Sequence, residues 1–261
     1  MIIAKTIGII GANGFVGGAL VNNFTASGYK VTSITRENFE QYESRHFDIL
    51  IDAAGNSKKF IADQNLKLDF ELTVQHRIQT LLSFNASLHV HISSVDVYQD
   101  LSDPEKNTEE AIVDLKSNSN YGFTKRLAEL IVQRHAPKWL IFRLSGMVGS
   151  GLRKNPVFDI ANDIPIRINP DSSYQFCSTE YVANLIRTVV EKGVWGEIIN
   201  VAGRGQVTPR DIAKILSKPL LVSPEANEQS PRIVSIGCDK ADCFLPRPSS
   251  IKVISDFYNF S

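Results

Sequence analysis

The run KTIGIIGANGFVG, Lys5–Gly17, most narrows what this chain can fold into. Its apolar first half reads as a strand buried on both faces. Gly11, Gly14 and Gly17 follow at once. A helix is predicted over Phe15–Ala26, with Val16, Leu20, Val21 and Phe24 on one side. Glycines at a strand-to-helix junction permit a tight turn, a close approach of backbone to a phosphate, and close packing of helix on sheet. The helix N-terminus then offers unpaired N–H groups and the positive end of its dipole to an anion. The order strand, glycine turn, helix is the context that makes a glycine triplet informative.

The alternation continues. KVTSIT reads as a second strand and FDILIDAAG as a third. FELTVQHRIQTLLSFNA, Phe70–Ala86, is predicted to be one helix, LHVHISS a strand, and YGFTKRLAELIVQRHA a long helix stopped by Pro137. WLIFRLSGMVG is predicted to be one further strand. Strands that alternate with helices imply right-handed crossovers and a parallel sheet covered on both faces. Past Gly149 proline and glycine become dense. GEIINVAG still reads as a strand. TPRDIAKIL is a helix with Thr208 as N-cap, Pro209 at the first position and Asp211 in the first turn. The tail from Lys218 reads as loops with short elements. The expected fold class is α/β, a doubly wound parallel sheet with a small C-terminal substrate lobe. The expected division is 1–149 for the dinucleotide-binding domain, with returning elements near 174–203, and 150–261 for a dependent lobe.

With 261 residues, 43% hydrophobic and 21% charged, and a formal net charge of zero, the chain has an ordinary globular composition. Neutrality gives nucleic acid or a membrane surface no electrostatic hold on it. Cys177, Cys238 and Cys243 are too few and too odd in number for a disulfide framework, and their spacing suits no zinc site. They read as thiols in a reducing cytoplasm. The N-terminal MIIAKTIGII lacks the marks of a signal peptide, and no apolar run reaches spanning length. His89 and His91 alternate on one strand and read as packing residues.

Three further positions carry chemistry. Tyr121 and Lys125 lie one helical turn apart, on the same face. A nearby ammonium stabilises a phenolate, so Lys125 is expected to lower the tyrosine's pKa and make it a usable base. Ser93 and Ser94 close a strand, at the sheet edge where open α/β folds bind ligands. At the end of the second strand, SITREN places Thr35 and Arg36 where an acid would hold the ribose hydroxyls of NAD. Arg36 instead suits a 2′-phosphate, which favours NADP(H) over NAD(H).

Taken together, the chain resembles the extended short-chain dehydrogenase/reductases, the nucleotide-sugar epimerase, dehydratase and reductase family with a Rossmann-like domain. The resemblance spans nearly the whole chain. GANGFVG resembles the family's cofactor loop, which implies cofactor contacts from Gly11, Asn13, Gly14, Phe15, Val16 and Gly17, joined by Thr35 and Arg36. DAAGN resembles the segment that passes under the cofactor, here Ala53, Ala54 and Gly55. SSVDVY assigns the catalytic hydroxyl to Ser94, and NYGFTK assigns Tyr121 and Lys125, the lysine also holding the nicotinamide ribose. FRLSGMVG, QFCSTEYVA and GEIINVAG resemble later family segments. Two departures stand out. Thr73 occupies the place of a frequent asparagine, and Val95 and Asp96 replace the Asp–Glu pair of the dehydratases, which argues against dehydration.

The resemblance implies hydride transfer between nicotinamide and a sugar carbon, with Tyr121 as acid and base and Ser94 orienting the substrate oxygen. Substrate contacts are expected from Ser94, Asp96, Arg153, Lys154 and Asn155. A reductase of 4-keto sugars is the first expectation. A 4-epimerase that retains NAD and a non-catalytic cofactor-sensing regulator are the alternatives. A homodimer through the two long helices is a further family-based expectation.

Overall fold

The computed structural model describes residues 5–116 and 118–259. Met1–Ala4, part of the N-terminal stretch read above, and Phe260 of the C-terminal tail lie outside them. In chain order the elements are β1 (Thr6–Ile10), α1 (Phe15–Ala26), β2 (Lys30–Ile34), β3 (His46–Asp52), α2 (Lys59–Gln64), α3 (Leu66–Phe70), α4 (His76–Ser83), β4 (Asn85–Ser94), α5 (Asn120–His135), β5 (Trp139–Leu144), β6 (Gly146–Val148), α6 (Pro156–Ala161), β7 (Phe176–Ser178), α7 (Thr179–Glu191), β8 (Glu197–Val201), α8 (Pro209–Ile215), α9 (Pro224–Asn227), α10 (Asp239–Asp242) and α11 (Ser250–Asn259).

Six strands form one sheet in the order β2-β1-β3-β4-β5-β8. The pairings of β1 with β2 and β3, of β3 with β4, and of β4 with β5 are all parallel. Continuous apolar strands suit a sheet covered on both faces, and Ile7, Ile9, Ile49, Leu50, Ile51, Leu140, Ile141 and Phe142 are all buried. The chain leaves β1 for β2 on one side and returns to β3 on the other. That reversal opens a crevice beyond the carboxyl ends of β1 and β3, where open α/β sheets bind ligands.

The chain folds as two compact units. One holds Met1–Gln99, Ile112–Leu144 and Ala183–Ile199. The other holds Asp100–Ala111, Ser145–Val182 and Asn200–Ser261. The second has its own core, in which Val148, Val157, Ile160, Phe176, Ile212 and Ile254 are buried together. There α8 begins at the expected Thr208 N-cap, and Thr208 and Asp211 form a capping box, each bonding the other's backbone N–H.

Several elements differ from expectation. The helix predicted over Phe70–Ala86 is in fact α3, a π-turn over Glu71–Gln75, and α4. Asn65 starts it early by accepting the Leu68 N–H at 3.0 Å. It stops at Ser83 because Asn85 and Ala86 pair with His46 and Phe47 on β3, so pairing overrides helix propensity. WLIFRLSGMVG breaks at Ser145. Its second piece, β6, pairs instead with β7 in a separate two-stranded sheet. The helices α2 and α7 are additions to the expected set, and the proline-rich tail carries the ten-residue helix α11. Among the described residues no helix is long and apolar enough to cross a membrane, and no group of three or more His, Cys, Asp or Glu side chains could hold a metal ion. The three cysteines are free thiols, Cys177 and Cys238 buried.

Candidate active site

The loop after β1 is built around its glycines. Gly11 has φ +77°, a backbone conformation that side chains resist. A Cβ on Gly17 would lie 2.0 Å from the Gly11 carbonyl oxygen, so α1 can reach the loop only with glycine there. Gly11 and Ala12 donate their N–H groups to Ile34 O, at 3.0 and 3.3 Å, which docks the loop on the end of β2. Thr35 and the exposed Arg36 therefore follow directly beside it. Gly14 is the N-cap of α1 and makes no side-chain cap, and the first turn holds no acid. A helix start with uncapped N–H groups and no competing carboxylate fits a pyrophosphate. Asn13 and Gly14 are exposed, Phe15 and Val16 half-buried.

The segment after β3 lies against this loop. A Cβ on Gly11 would meet Ala54 N at 3.0 Å and the Ala53 carbonyl carbon at 3.1 Å. A Cβ on Gly55, at the segment's other end, would stand 3.5 Å from Lys125 Nζ. The glycine loop, the Ala53–Gly55 segment and Lys125, apart in sequence, thus lie side by side.

Ser94, Tyr121 and Lys125 are brought together at the carboxyl end of β4, each less than a tenth exposed. Lys125 Nζ stands 5.4 Å from the Tyr121 ring centre. Ser94 lies close enough to Tyr121 for its hydroxyl to favour the phenolate. The Ser94 hydroxyl also donates to Asp96 Oδ2 at 3.1 Å and accepts the Asp96 N–H at 3.2 Å. Lys59 holds the other oxygen of Asp96 at 2.7 Å. Gly122 makes this meeting possible. A Cβ there would fall 2.1 Å from the Asp96 carbonyl oxygen, so only glycine lets the first turn of α5 lie on the Asp96 turn.

One expectation is corrected here. The Tyr121 pKa lies above its ordinary value, not below it. Burial pushes its pKa up, the Asp96 and Asp69 charges push it further, and the Ser94 hydroxyl opposes them. The phenol is therefore held protonated.

The profile of the NAD dependent epimerase/dehydratase family matches residues 7–202. The chain belongs to that family. The fold agrees. UDP-glucuronic acid 4-epimerase from Bacillus cereus, solved as a mutant with a fluorinated UDP-glucuronic acid and NAD, is 16% identical with a TM-score of 0.81, over 98% of each chain. dTDP-4-dehydrorhamnose reductase from Bacillus anthracis, solved with NADP, is 18% identical with a TM-score of 0.81, over 100% of each. RMD from Pseudomonas aeruginosa, solved with NADPH, is 17% identical with a TM-score of 0.80, over 99% of this chain and 100% of that one. No curated protein sequence matches. As a member of the family, the chain is an NAD(P)-dependent enzyme of the epimerase/reductase type.

The remaining expected residues are placed less simply. Arg153 and Lys154 are exposed. Asn155 is occupied structurally: its oxygen accepts the N–H groups of Val157 and Phe158, capping α6, and its nitrogen donates to Met147 O at 2.8 Å. Thr73, in the place of the family's asparagine, is buried and turned to Asp69. His89 and His91 are buried as expected of packing residues.

Sequence reading missed the groups that hold the site. The buried Asp69 carboxylate accepts from Thr124 at 2.6 Å and Asn56 at 2.7 Å, joining α3 to α5 and to the segment after β3. Glu129, one turn beyond Lys125, takes Arg143 in a two-pronged pair at 2.9 and 2.7 Å and the Ser93 hydroxyl at 2.6 Å. Arg143 also donates to Tyr98 at 2.7 Å. Polar residues at inward helix positions were the available signal, and they read as surface until their partners from other elements are known.

Proposed function

We propose that this chain reduces the keto group of a nucleotide-linked 4-keto sugar, using NADP(H), with Tyr121 as the proton donor. The observation that carries the reading is the buried Ser94–Tyr121–Lys125 group, with Lys125 reaching the segment that abuts the glycine loop. Reduction of a carbonyl needs a proton on the nascent alkoxide, and a protonated phenol supplies one. Bound in the crevice, the nicotinamide supplies the hydride. Ser94 orients the carbonyl oxygen by hydrogen bonding, and Tyr121 gives that oxygen its proton. Lys125 lies within reach of the ring to stabilise the phenolate left behind. Asp96, fixed by Lys59, accepts from a neighbouring sugar hydroxyl. Asn155 is left to its cap.

Arg36, exposed beside the phosphate loop, supports NADP(H). The reductase from Bacillus anthracis that shares the fold was solved with NADP, and the epimerase from Bacillus cereus with NAD. Titration with NADPH and NADH, followed by nicotinamide fluorescence, tests the choice. A preference for NADPH of about tenfold or more, about 1.4 kcal/mol, is expected. Equal or tighter binding of NADH would favour a 4-epimerase that keeps its cofactor. We also propose a homodimer through α4 and α5, which expose Ile78, Leu82 and Leu130. Sedimentation of Leu82→Glu as a monomer beside a dimeric parent would support it, and a monomeric parent would end it.

A further inference from the structure

A buried ion pair lies behind the Ala53–Gly55 segment, and no role assigned above accounts for it. Asp52 ends β3 and is 3% exposed, and Arg77 on α4 is 2% exposed. Their side chains form a salt bridge. Thr80 donates to the same carboxylate at 2.9 Å, and His76 Nε2 stands 3.4 Å from it. The pair grips one residue's backbone from both sides. The Ala54 N–H donates to Asp52 Oδ1 at 3.0 Å, and Arg77 Nη2 donates to the Ala54 carbonyl at 3.4 Å.

Ala54 is the middle of the crevice. On one side it abuts Gly11 of the phosphate loop, and one residue on, Gly55 faces Lys125 Nζ. A shift of the Ala54 backbone would therefore change the distance between the phosphate loop and the lysine. A buried ion pair seldom stabilises a fold better than apolar residues of the same size would. What it adds is fixed hydrogen-bond geometry, since a planar guanidinium and a carboxylate each specify direction. Here the carboxylate and the guanidinium both direct a backbone hydrogen bond at Ala54.

We propose that Asp52 and Arg77 are positioning residues for the cofactor cradle: they fix the Ala54 backbone and, through it, the spacing between the phosphate loop and Lys125. The proposal rests on the reading of this crevice as the nicotinamide dinucleotide site.

Two variants separate this role from a purely structural one. Arg77→Lys keeps a cation beside Asp52 but loses the fork that reaches the Ala54 carbonyl. The double variant Asp52→Leu with Arg77→Met leaves no buried charge and should recover most of the thermal stability that Arg77→Met alone loses. Tm and the Kd for NADPH and NADH would be measured on each, with binding read well below Tm. The expected result is a Kd for the better-bound nucleotide raised by roughly tenfold or more in both variants, even where Tm is restored, as a misplaced binding group implies. A folded variant that binds that nucleotide with the parent's Kd would overturn the proposal. Should the double variant fail to fold, Arg77→Lys decides alone. A parent protein that binds neither nucleotide would overturn the cofactor reading, and this proposal with it.

Discussion

Acid should loosen this fold through two histidines on β4, and the size of the effect can be worked out. Burial is the main cause that lowers His89 to about 4, with Arg77 adding to it and Asp52 opposing. His91 is pushed well below its ordinary range, first by burial, then by Arg77 and Lys125. Both of its ring nitrogens are buried without a hydrogen-bond partner among the described residues. An unfolded histidine takes up its proton near pH 6.5, while folded His89 does so only near 4. Between those values the unfolded state binds more protons, so stability falls as pH falls. From about pH 7 to about pH 5, His89 alone should remove about 2 kcal/mol, roughly 4 °C in Tm for a chain of this size. His91 adds a loss of the same sign. Asp52 acts in a lower window: Arg77 and His76 outweigh its burial and hold its pKa below the usual range, so its contribution is lost only below the ordinary carboxylate pKa. Thermal unfolding by circular dichroism at the two pH values, on the parent and on His89→Gln with His91→Leu, is the assay. The variant should lose about half as much Tm or less between the two. An equal acid-induced drop in parent and variant would refute the reasoning.

Two other perturbations follow from the packing. Gly122→Ala places a methyl group against the Asp96 carbonyl, so it should part Tyr121 from Ser94 and lower turnover at least about tenfold while cofactor binding persists; unchanged kinetics would contradict the close approach of α5. Arg143→Met takes the two-pronged partner from the buried Glu129 carboxylate and leaves it Arg126 at 2.9 Å, and should cost about 2–3 kcal/mol in urea unfolding; a loss under about 1 kcal/mol, the value for a surface pair, would show that Arg126 alone compensates.

Much of the candidate site's arrangement is legible in the sequence because it is written in local spacing. The glycine loop, the tyrosine and lysine one turn apart, and the strand-end serine each lie within one turn or one junction. The sheet is legible for the same reason, strand by strand. What stays hidden depends on distant partners. Arg77 and Glu129 sit on helices that read as amphipathic, and nothing local says that Asp52 or Arg143 will meet them in the interior. Asn155 reads as a polar loop residue until α6 begins beside it. The sign of the Tyr121 shift fails for a related reason: Lys125 is visible at helical spacing, whereas the burial of the phenol, and after it the Asp96 and Asp69 charges, come from other elements. β6 reads as a continuation of β5 because its partner, β7, lies far along the chain, and strand identity there is set by that pairing rather than by composition.

The central claim is that Tyr121 moves the proton while the nicotinamide cofactor moves the hydride. Its most direct test is a single-turnover reduction of a nucleotide-linked 4-keto sugar by NADPH, followed by nicotinamide absorbance, in the parent and in Tyr121→Phe. The predicted result is a hydride-transfer rate lower by roughly a hundred- to ten-thousandfold in the variant, as expected on losing a positioned acid, with the Kd for NADPH unchanged. Transfer at the parent's rate in Tyr121→Phe would contradict the account.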